Sequence, residues 1–442
     1  MKILLINPLV REWAQSNCFP SGLGYIATVL LQEGHDVVVM DFNADRENII
    51  YPPLNYNPDM VGITGIITQY KAVKRLAKLF KERYPTTIVV AGGPLASSIP
   101  QLLLNKTYVD ICIEGEGENI IKEITKDFNT LKDHKDTTLE YKIEKNINKF
   151  DFPSYNLFPM EKYIINPIAA DNIRKWDDGI PYDKKLRRSL NIIGSRGCPY
   201  NCIYCYHNYM GQGWRMRSAN NIIEEITLLK ENYGIEYIHF TDDAFASSKK
   251  KIIEFCIIKN EDSFTRDIKW SCAGRANVVD EEMIKYMIDS GCEGVCYGLE
   301  SGSQEILNIM KKKVTLQQYE YAIQLNKKYF KYEDYSFIVG SPGETDKTIN
   351  ESIDFCKRMD IVPTAIFYMT PYPGTPLFDS LVINGEIDFF DYNWMEMFVE
   401  SLGEQGEQMI WNFTNYDNNV VLDWHNKFIK ETNAWNKKKH KK

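Results

Sequence analysis

The sequence predicts an α/β protein: an N-terminal doubly wound parallel sheet, a partial (β/α)6 TIM-like barrel, and a small, mainly helical C-terminal cap. Three observations predict it. Short apolar runs alternate with amphipathic stretches over most of the 442 residues. Polar or glycine-rich turns follow one run after another, at the strand ends where open sheets and barrels place their ligands. A charged, proline-bearing and weakly periodic stretch, residues 127–187, separates two such series and reads as a linker.

In residues 1–126, strands are expected at 2–7, 35–42, 60–64, 87–91 and 109–113. Helices are expected at 21–32, with Leu23, Ile26, Val29 and Leu30 on one face, and at 69–84. The loops Thr64-Gly65-Ile66-Ile67-Thr68 and Ala91-Gly92-Gly93-Pro94 follow the third and fourth strands, and Gly115-Glu116-Gly117-Glu118 follows the fifth. Small residues and hydroxyls there would admit a bulky nucleotide tail between sheet and helices. No G-x-G-x-x-G follows the first strand, which argues against a dinucleotide.

Residues 188–380 carry six further strand-like runs, at 190–194, 237–241, 268–273, 294–299, 335–340 and 364–370. The first leads into a cysteine loop. The next end in Asp242-Asp243-Ala244-Phe245, Gly274-Arg275-Ala276 and Glu300-Ser301-Gly302-Ser303, and the last two in Ser341-Pro342-Gly343-Glu344 and Pro371-Tyr372-Pro373-Gly374-Thr375. A lone acidic residue at a strand end is often a helix cap. Recurrence over five strands argues for a site. Trp214-Arg215-Met216-Arg217-Ser218 is either a solvated basic turn or part of that site. Residues 381–442 are aromatic and polar, with Phe389, Phe390, Tyr392, Trp394, Phe398, Trp411, Phe413, Tyr416, Trp424 and Trp435 reading mainly as packing of a cap.

The cysteine loop is Gly197-Cys198-Pro199-Tyr200-Asn201-Cys202-Ile203-Tyr204-Cys205, with spacing C-x3-C-x2-C. Three thiolates this close form a soft pocket suited to iron. With no fourth cysteine nearby, a 4Fe–4S cluster held by Cys198, Cys202 and Cys205 would keep one iron open. A zinc site completed by His207 would lack the paired knuckles usual for zinc. Ten cysteines in 442 residues are too sparse for a disulfide framework.

A formal charge of −8 argues against nucleic acid as partner. No apolar run reaches the roughly 18 residues of a membrane span, and the N-terminus reads as a strand rather than a signal peptide. Free cysteines and an oxygen-sensitive cluster suit the reducing cytoplasm. The basic run from Lys437 to Lys442 reads as a solvated tail.

The cysteine spacing, with the aromatic Tyr204 before the third cysteine, resembles the radical S-adenosylmethionine (SAM) superfamily. Phe-Thr-Asp-Asp, Gly-Leu-Glu-Ser-Gly-Ser and Pro-Gly-Thr-Pro resemble its strand-end motifs. The loops at Thr64 and Gly92, with the Gly-Glu-Gly-Glu turn, resemble the cobalamin-binding domain that precedes the barrel in one branch. The resemblance covers residues 1–380 and implies three cofactors: a 4Fe–4S cluster, SAM and cobalamin. It implies Thr64, Gly65, Thr68, Gly92 and Gly93 around the cobalamin tail. Toward SAM, Asp242 and Asp243 suit the ammonium, Arg275 the carboxylate, Glu300 and Ser301 the ribose or amino-acid end, and Tyr204 the adenine. No residue is singled out as catalytic. The loop Asn7-Pro8-Leu9-Val10-Arg11-Glu12-Trp13-Ala14 lacks the D-x-H-x-x-G histidine, so cobalt is expected without a histidine lower ligand.

The activity implied is methylation of an unactivated carbon of a small molecule, such as a secondary metabolite or cofactor precursor, through a 5′-deoxyadenosyl radical and methylcobalamin. An electron donor such as flavodoxin or ferredoxin is implied as partner. A cyclase or rearranging enzyme of the same architecture would make no S-adenosylhomocysteine. An RNA methylthiotransferase would want a second cysteine cluster in the first domain, where only Cys18 and Cys112 lie. A non-catalytic cobalamin sensor would leave the barrel's strand ends without purpose.

Overall fold

The computed structural model describes residues 1–10, 18–45, 56–140, 143–165, 187–206, 213–330, 333–391, 393–399 and 408–439. His207, Trp13, Tyr392, residues 166–186 of the expected linker and the chain beyond 439 lie outside the described residues.

The chain divides into two compact units. The first comprises residues 1–197, 206–239 and 387–399. Its sheet has strands β1 (Lys2–Asn7), β2 (Asp36–Asp41), β3 (Met60–Thr64), β4 (Ile88–Gly92), β5 (Ile111–Ile113) and β6 (Thr137–Leu139), in the order β2-β1-β3-β4-β5-β6. All its pairings are parallel. Helices cover both faces, so β1 and β3 are continuous apolar runs instead of alternating ones. Gly62 lets β3 close on β1: a Cβ there would stand 2.7 Å from Leu5 Cδ2. Strand order reverses between β1 and β3, which opens a crevice at their carboxyl ends.

β6 falls in the stretch expected to be linker. Its three residues, Thr-Thr-Leu, are half-buried on the sheet edge and too few to show a period. Near the other end of the chain, the helix Trp394–Val399 packs on the helix Tyr70–Arg83 and on the turn Ile67–Gln69, burying Trp394, Met395 and Phe398.

Eight further strands follow: β7 (Ser189–Ile192), β8 (Ser195–Arg196), β9 (Arg215–Met216), β10 (Tyr237–Phe240), β11 (Lys269–Gly274), β12 (Cys292–Glu300), β13 (Asp334–Val339) and β14 (Ala365–Tyr368). Six of them form a second sheet, ordered β14-β13-β12-β11-β10-β7, the half-barrel. The short β8 and β9 pair antiparallel.

The second unit comprises residues 198–205, 240–386 and 400–442. Its helices begin on dedicated caps: Asp280, Thr345 and Thr375 each accept from a backbone N–H of the first turn. The acidic strand-end residues Asp242, Asp243 and Glu300 are therefore not the N-caps of the helices that follow them. The helix Asn418–Lys439 packs Phe428 edge-on against Phe337 at 5.2 Å, and Trp424 donates to Asp346 at 2.7 Å. Of the aromatics expected to pack a cap, Trp424 is core, whereas Phe390 and Tyr416 are exposed.

Candidate functional site

The cysteine loop is held from both sides through Ile203. Its N–H donates to Met310 O at 3.1 Å, and its carbonyl accepts from Leu377 N at 3.0 Å, at the start of the helix Pro376–Ile383. The Ile203 and Tyr204 side chains pack on Ile306, Met310, Met369 and Leu377. Within the loop, Cys205 N donates to Cys202 O at 3.2 Å, a tight turn that keeps the second and third cysteines neighbours.

Burial pushes the Cys205 thiol up to about 12, with Cys202 adding to the effect, and burial raises Cys198 as well. Cys198 and Cys205 thus resist ionisation where they stand, an arrangement that a bound cation would relieve. Among the described residues no three Cys, His, Asp or Glu side chains converge as metal ligands. The loop gathers the thiols without closing them on one point. Three soft sulfur donors still fit an iron–sulfur cluster better than a hard cation.

Arg275 lies flat on this loop. Its guanidinium stacks 3.6 Å from the Tyr200 ring centroid, Nη1 reaches Cys202 Sγ at 3.8 Å, and Nη2 donates to Lys312 O.

Asp242 and Asp243 sit on a turn fixed by aromatic packing. Phe240 and Phe245 stack at 3.8 Å across it, with Phe255 and Trp270 edge-on to both. Asp242 is buried and Asp243 exposed. Glu300 closes β12 and accepts from Lys312 Nζ at 2.8 Å, while the same ammonium donates to Tyr204 OH at 3.1 Å. The structure therefore brings Cys202, Tyr204, Arg275 and Glu300 into one connected set. Ser301 is apart from it: its hydroxyl meets Ser352 Oγ at 3.2 Å and accepts from Ser303 N at 3.1 Å.

In the first unit, a cavity opens at the β1/β3 crevice. Leu5, Met60, Ile63, Val90 and Ile113 form its apolar wall, with Thr64, Gly92, Gly93, Gly115, Glu116, Glu118 and Arg196 among the other lining residues. A Cβ on Gly92 would meet nothing within 4 Å, so that glycine is bare toward open space. Gly93 is bare for another reason, with φ of +79° and Thr64 Oγ1 2.7 Å from where its Cβ would be. Gly65 lies behind the wall against Leu95 and Val73. Thr68 is buried with its hydroxyl unpartnered. Of the five residues expected here, Thr64, Gly92 and Gly93 line the cavity and Gly65 and Thr68 do not. An apolar slot with bare glycines fits a large flat ligand with a long tail.

The Gly-Glu-Gly-Glu turn carries charge into that lining. Glu118 accepts from Arg196 at 2.6 Å, and Glu116 accepts from Arg215 at 2.5 Å and lies 3.7 Å from Arg196. Arg217, behind them, is buried with Glu225, and Tyr155 donates to Glu225 at 2.6 Å. A solvated basic turn at 214–218 is therefore overturned: Arg217 is interior and Arg215 largely so. The sequence reading assigned no role to Arg196 or Lys312.

The chain matches the Radical SAM superfamily over residues 192–356 and the B12 binding domain over residues 9–125. It is 31% identical to an uncharacterized methyltransferase, PH0819, of Pyrococcus horikoshii, over 89% of this chain and 85% of that protein. It is 25% identical to an anaerobic magnesium-protoporphyrin IX monomethyl ester cyclase of Rubrivivax gelatinosus, over 94% of this chain and 77% of that one. Its fold matches the radical SAM methyltransferase TsrM of Kitasatospora setae with a TM-score of 0.67 at 19% identity, over 87% of this chain and 75% of that one. With a B12 binding domain ahead of the barrel and a relative similar along nearly its whole length, the chain belongs to the cobalamin-binding-domain-containing branch of the radical SAM superfamily.

Proposed function

We infer that this protein is a cobalamin-dependent radical SAM enzyme that methylates an unactivated carbon of a small molecule. The observation that carries the reading is the three-thiol loop, pinned by Ile203 and joined through Cys202 and Tyr204 to Arg275 and Glu300. In this reading Cys198, Cys202 and Cys205 hold a 4Fe–4S cluster within a barrel of residues 188–380. Asp242, Asp243, Arg275, Glu300 and Tyr204 bind SAM, with Ser301 steadying the turn after Glu300. Thr64, Gly92 and Gly93 line the cobalamin pocket of residues 1–126, with Gly65 and Thr68 outside its lining.

When bound, these groups supply a SAM-derived radical and a cobalt-borne methyl group. The chain's own residues bind, orient and exclude water. Arg275, at hydrogen-bond distance from Cys202 Sγ, would stabilise charge on that ligand and tune the cluster. The apolar wall of Leu5, Met60, Ile63, Val90 and Ile113 would keep the cofactor's inner face dry. A low-potential electron donor of the flavodoxin or ferredoxin type, in a cytoplasmic setting, would complete the system.

The likeness to a cyclase favours one second reading, ring formation without methyl transfer. One experiment separates them. Protein reconstituted anaerobically with iron, sulfide and cobalamin is given reductant, methyl-labelled SAM and candidate substrates. Methylation predicts 5′-deoxyadenosine and S-adenosylhomocysteine in near-equal amounts with label in the product. Substrate-dependent 5′-deoxyadenosine with no S-adenosylhomocysteine would sink the methyltransferase reading and favour the cyclase.

A further inference from the structure

Glu300 is held in a conformation that a strand residue does not take unaided. The β12–β13 pairing slips register between Gly298 and Glu300, and Glu300 adopts φ of +66°. For a residue with a Cβ this costs roughly 1–3 kcal/mol unless the surroundings enforce it. The slip folds the carboxylate back over Gly298, where any Cβ would collide with Oε1 and stand 3.4 Å from Lys312 Nζ. Gly298 is thus bare so that Glu300 and Lys312 can meet above it.

Lys312 reaches that point because of its turn. Lys311, Lys312 and Lys313 are consecutive, yet only the middle one is buried, 8% exposed, while both neighbours have φ of +54° and face solvent. Its ammonium donates to Glu300 Oε1 at 2.8 Å and to Tyr204 OH at 3.1 Å. The same turn grips the cysteine loop through Met310 O, which accepts from Ile203 N, and holds Arg275 through Lys312 O. One lysine therefore ties the end of β12 to the cysteine loop.

We propose that Lys312 is a positioning residue for SAM, fixing the Glu300 carboxylate and the Tyr204 ring in their binding orientation and acting through Glu300. This rests on the reading of Glu300 and Tyr204 as SAM contacts. Without the ammonium, Glu300 keeps a buried charge with its counter-ion gone and leaves its place over Gly298. Removing one member of a buried, hydrogen-bonded charge pair weakens binding by about 2 kcal/mol or more, roughly 30-fold. The backbone grip on Ile203 does not depend on the side chain, so cluster assembly should survive.

The test uses the full-length, reconstituted protein. Labelled SAM is bound by equilibrium dialysis, and the electron paramagnetic resonance signal of the reduced cluster is recorded with and without SAM. Lys312→Met should hold wild-type iron and sulfide, bind SAM about 30-fold more weakly and lose the SAM-induced change in signal. Lys312→Arg, which keeps the charge, should stay within about threefold of wild type. Because Lys312 acts through Glu300, adding Lys312→Met to Glu300→Gln should weaken binding by less than about threefold more. Wild-type SAM affinity and signal in Lys312→Met, multiplying effects in the double variant, or lost iron in Lys312→Met would each overturn the assignment. A wild-type cluster whose signal ignores SAM would overturn it together with the functional reading beneath it.

Discussion

Arg196 donates to Glu118 across 2.6 Å, and both side chains are closed to solvent in the lining of the first unit's cavity. The guanidinium lies 5.1 Å from the Tyr25 ring and 5.3 Å from the Phe150 ring. Glu116 already serves Arg215 at 2.5 Å, so it cannot balance both cations. The pair is neutral as a whole, and its burial would leave either partner costly if it stood alone.

Glu118→Ala should therefore destabilise the protein by about 3–5 kcal/mol, the usual consequence of stranding a buried partner. Chemical unfolding checks it. The double change Glu118→Leu with Arg196→Met should recover most of the loss, because it removes the stranded charge along with the pair.

Gly92 and Gly93 should part company on substitution. Gly92 has φ of −139° and open space before it, so Gly92→Val should leave the apo-protein's melting temperature near wild type while weakening aquacobalamin binding about tenfold or more, read from the corrin absorbance. Gly93→Ala meets Thr64 at 2.7 Å with φ of +79°, and should cost about 1–3 kcal/mol of stability with or without cobalamin.

Alanine at Cys198, Cys202 or Cys205 should each abolish stoichiometric 4Fe–4S assembly, measured as iron, sulfide and visible absorbance after anaerobic reconstitution. Alanine at Cys256 or Cys356, both buried outside the loop, should leave iron content unchanged.

Glu344 should make stability depend on pH. Its carboxyl is 2% exposed, and burial pushes its pKa up to about 7 although Gly340 N and Ser341 N donate to it. The folded state thus holds a proton that the unfolded chain releases near 4.5. Its contribution is complete below that pH, declines as pH rises through 7, and is lost above it, a swing on the order of 3 kcal/mol. Glu344→Gln keeps the acceptor and removes the proton, so it should flatten the profile and be more stable than wild type at pH 8 in thermal unfolding.

Lys259 is fully buried and donates to three backbone carbonyls, Thr265 O at 3.0 Å, Arg266 O at 3.3 Å and Ile268 O at 2.7 Å. Lys259→Met should leave them unsatisfied and cost about 2–4 kcal/mol, seen as a lowered denaturant midpoint.

What the sequence made legible follows from period and punctuation. Strands β1, β3 and β10 to β14 are apolar runs stopped by polar, Gly, Pro or acidic residues, and the candidate site residues Thr64, Asp242, Arg275 and Glu300 stand at or just past the ends of four of them. Residues set by the path of the chain escaped. Lys312 stands in a run of three lysines whose composition says solvent, and only two left-handed neighbours turn it inward. Arg215 finds its carboxylate at Glu116, 99 positions away, a separation that no local pattern encodes. Ser301 looked open beside Glu300, yet its hydroxyl is spent on Ser352.

The helix Trp394–Val399, seated on the helix Tyr70–Arg83 and on the turn that carries Thr68, sets a timetable for biosynthesis. A ribosome finishes every strand of the first sheet long before it reaches Trp394. Until then the nascent domain presents the apolar seat that Trp394, Met395 and Phe398 will cover. An excised N-terminal fragment would keep that seat bare permanently and would be sticky where the intact chain is sealed. The cobalamin module and the far end of the polypeptide thus mature as one piece, and a gene fusion or truncation near residue 390 reaches back to the first domain.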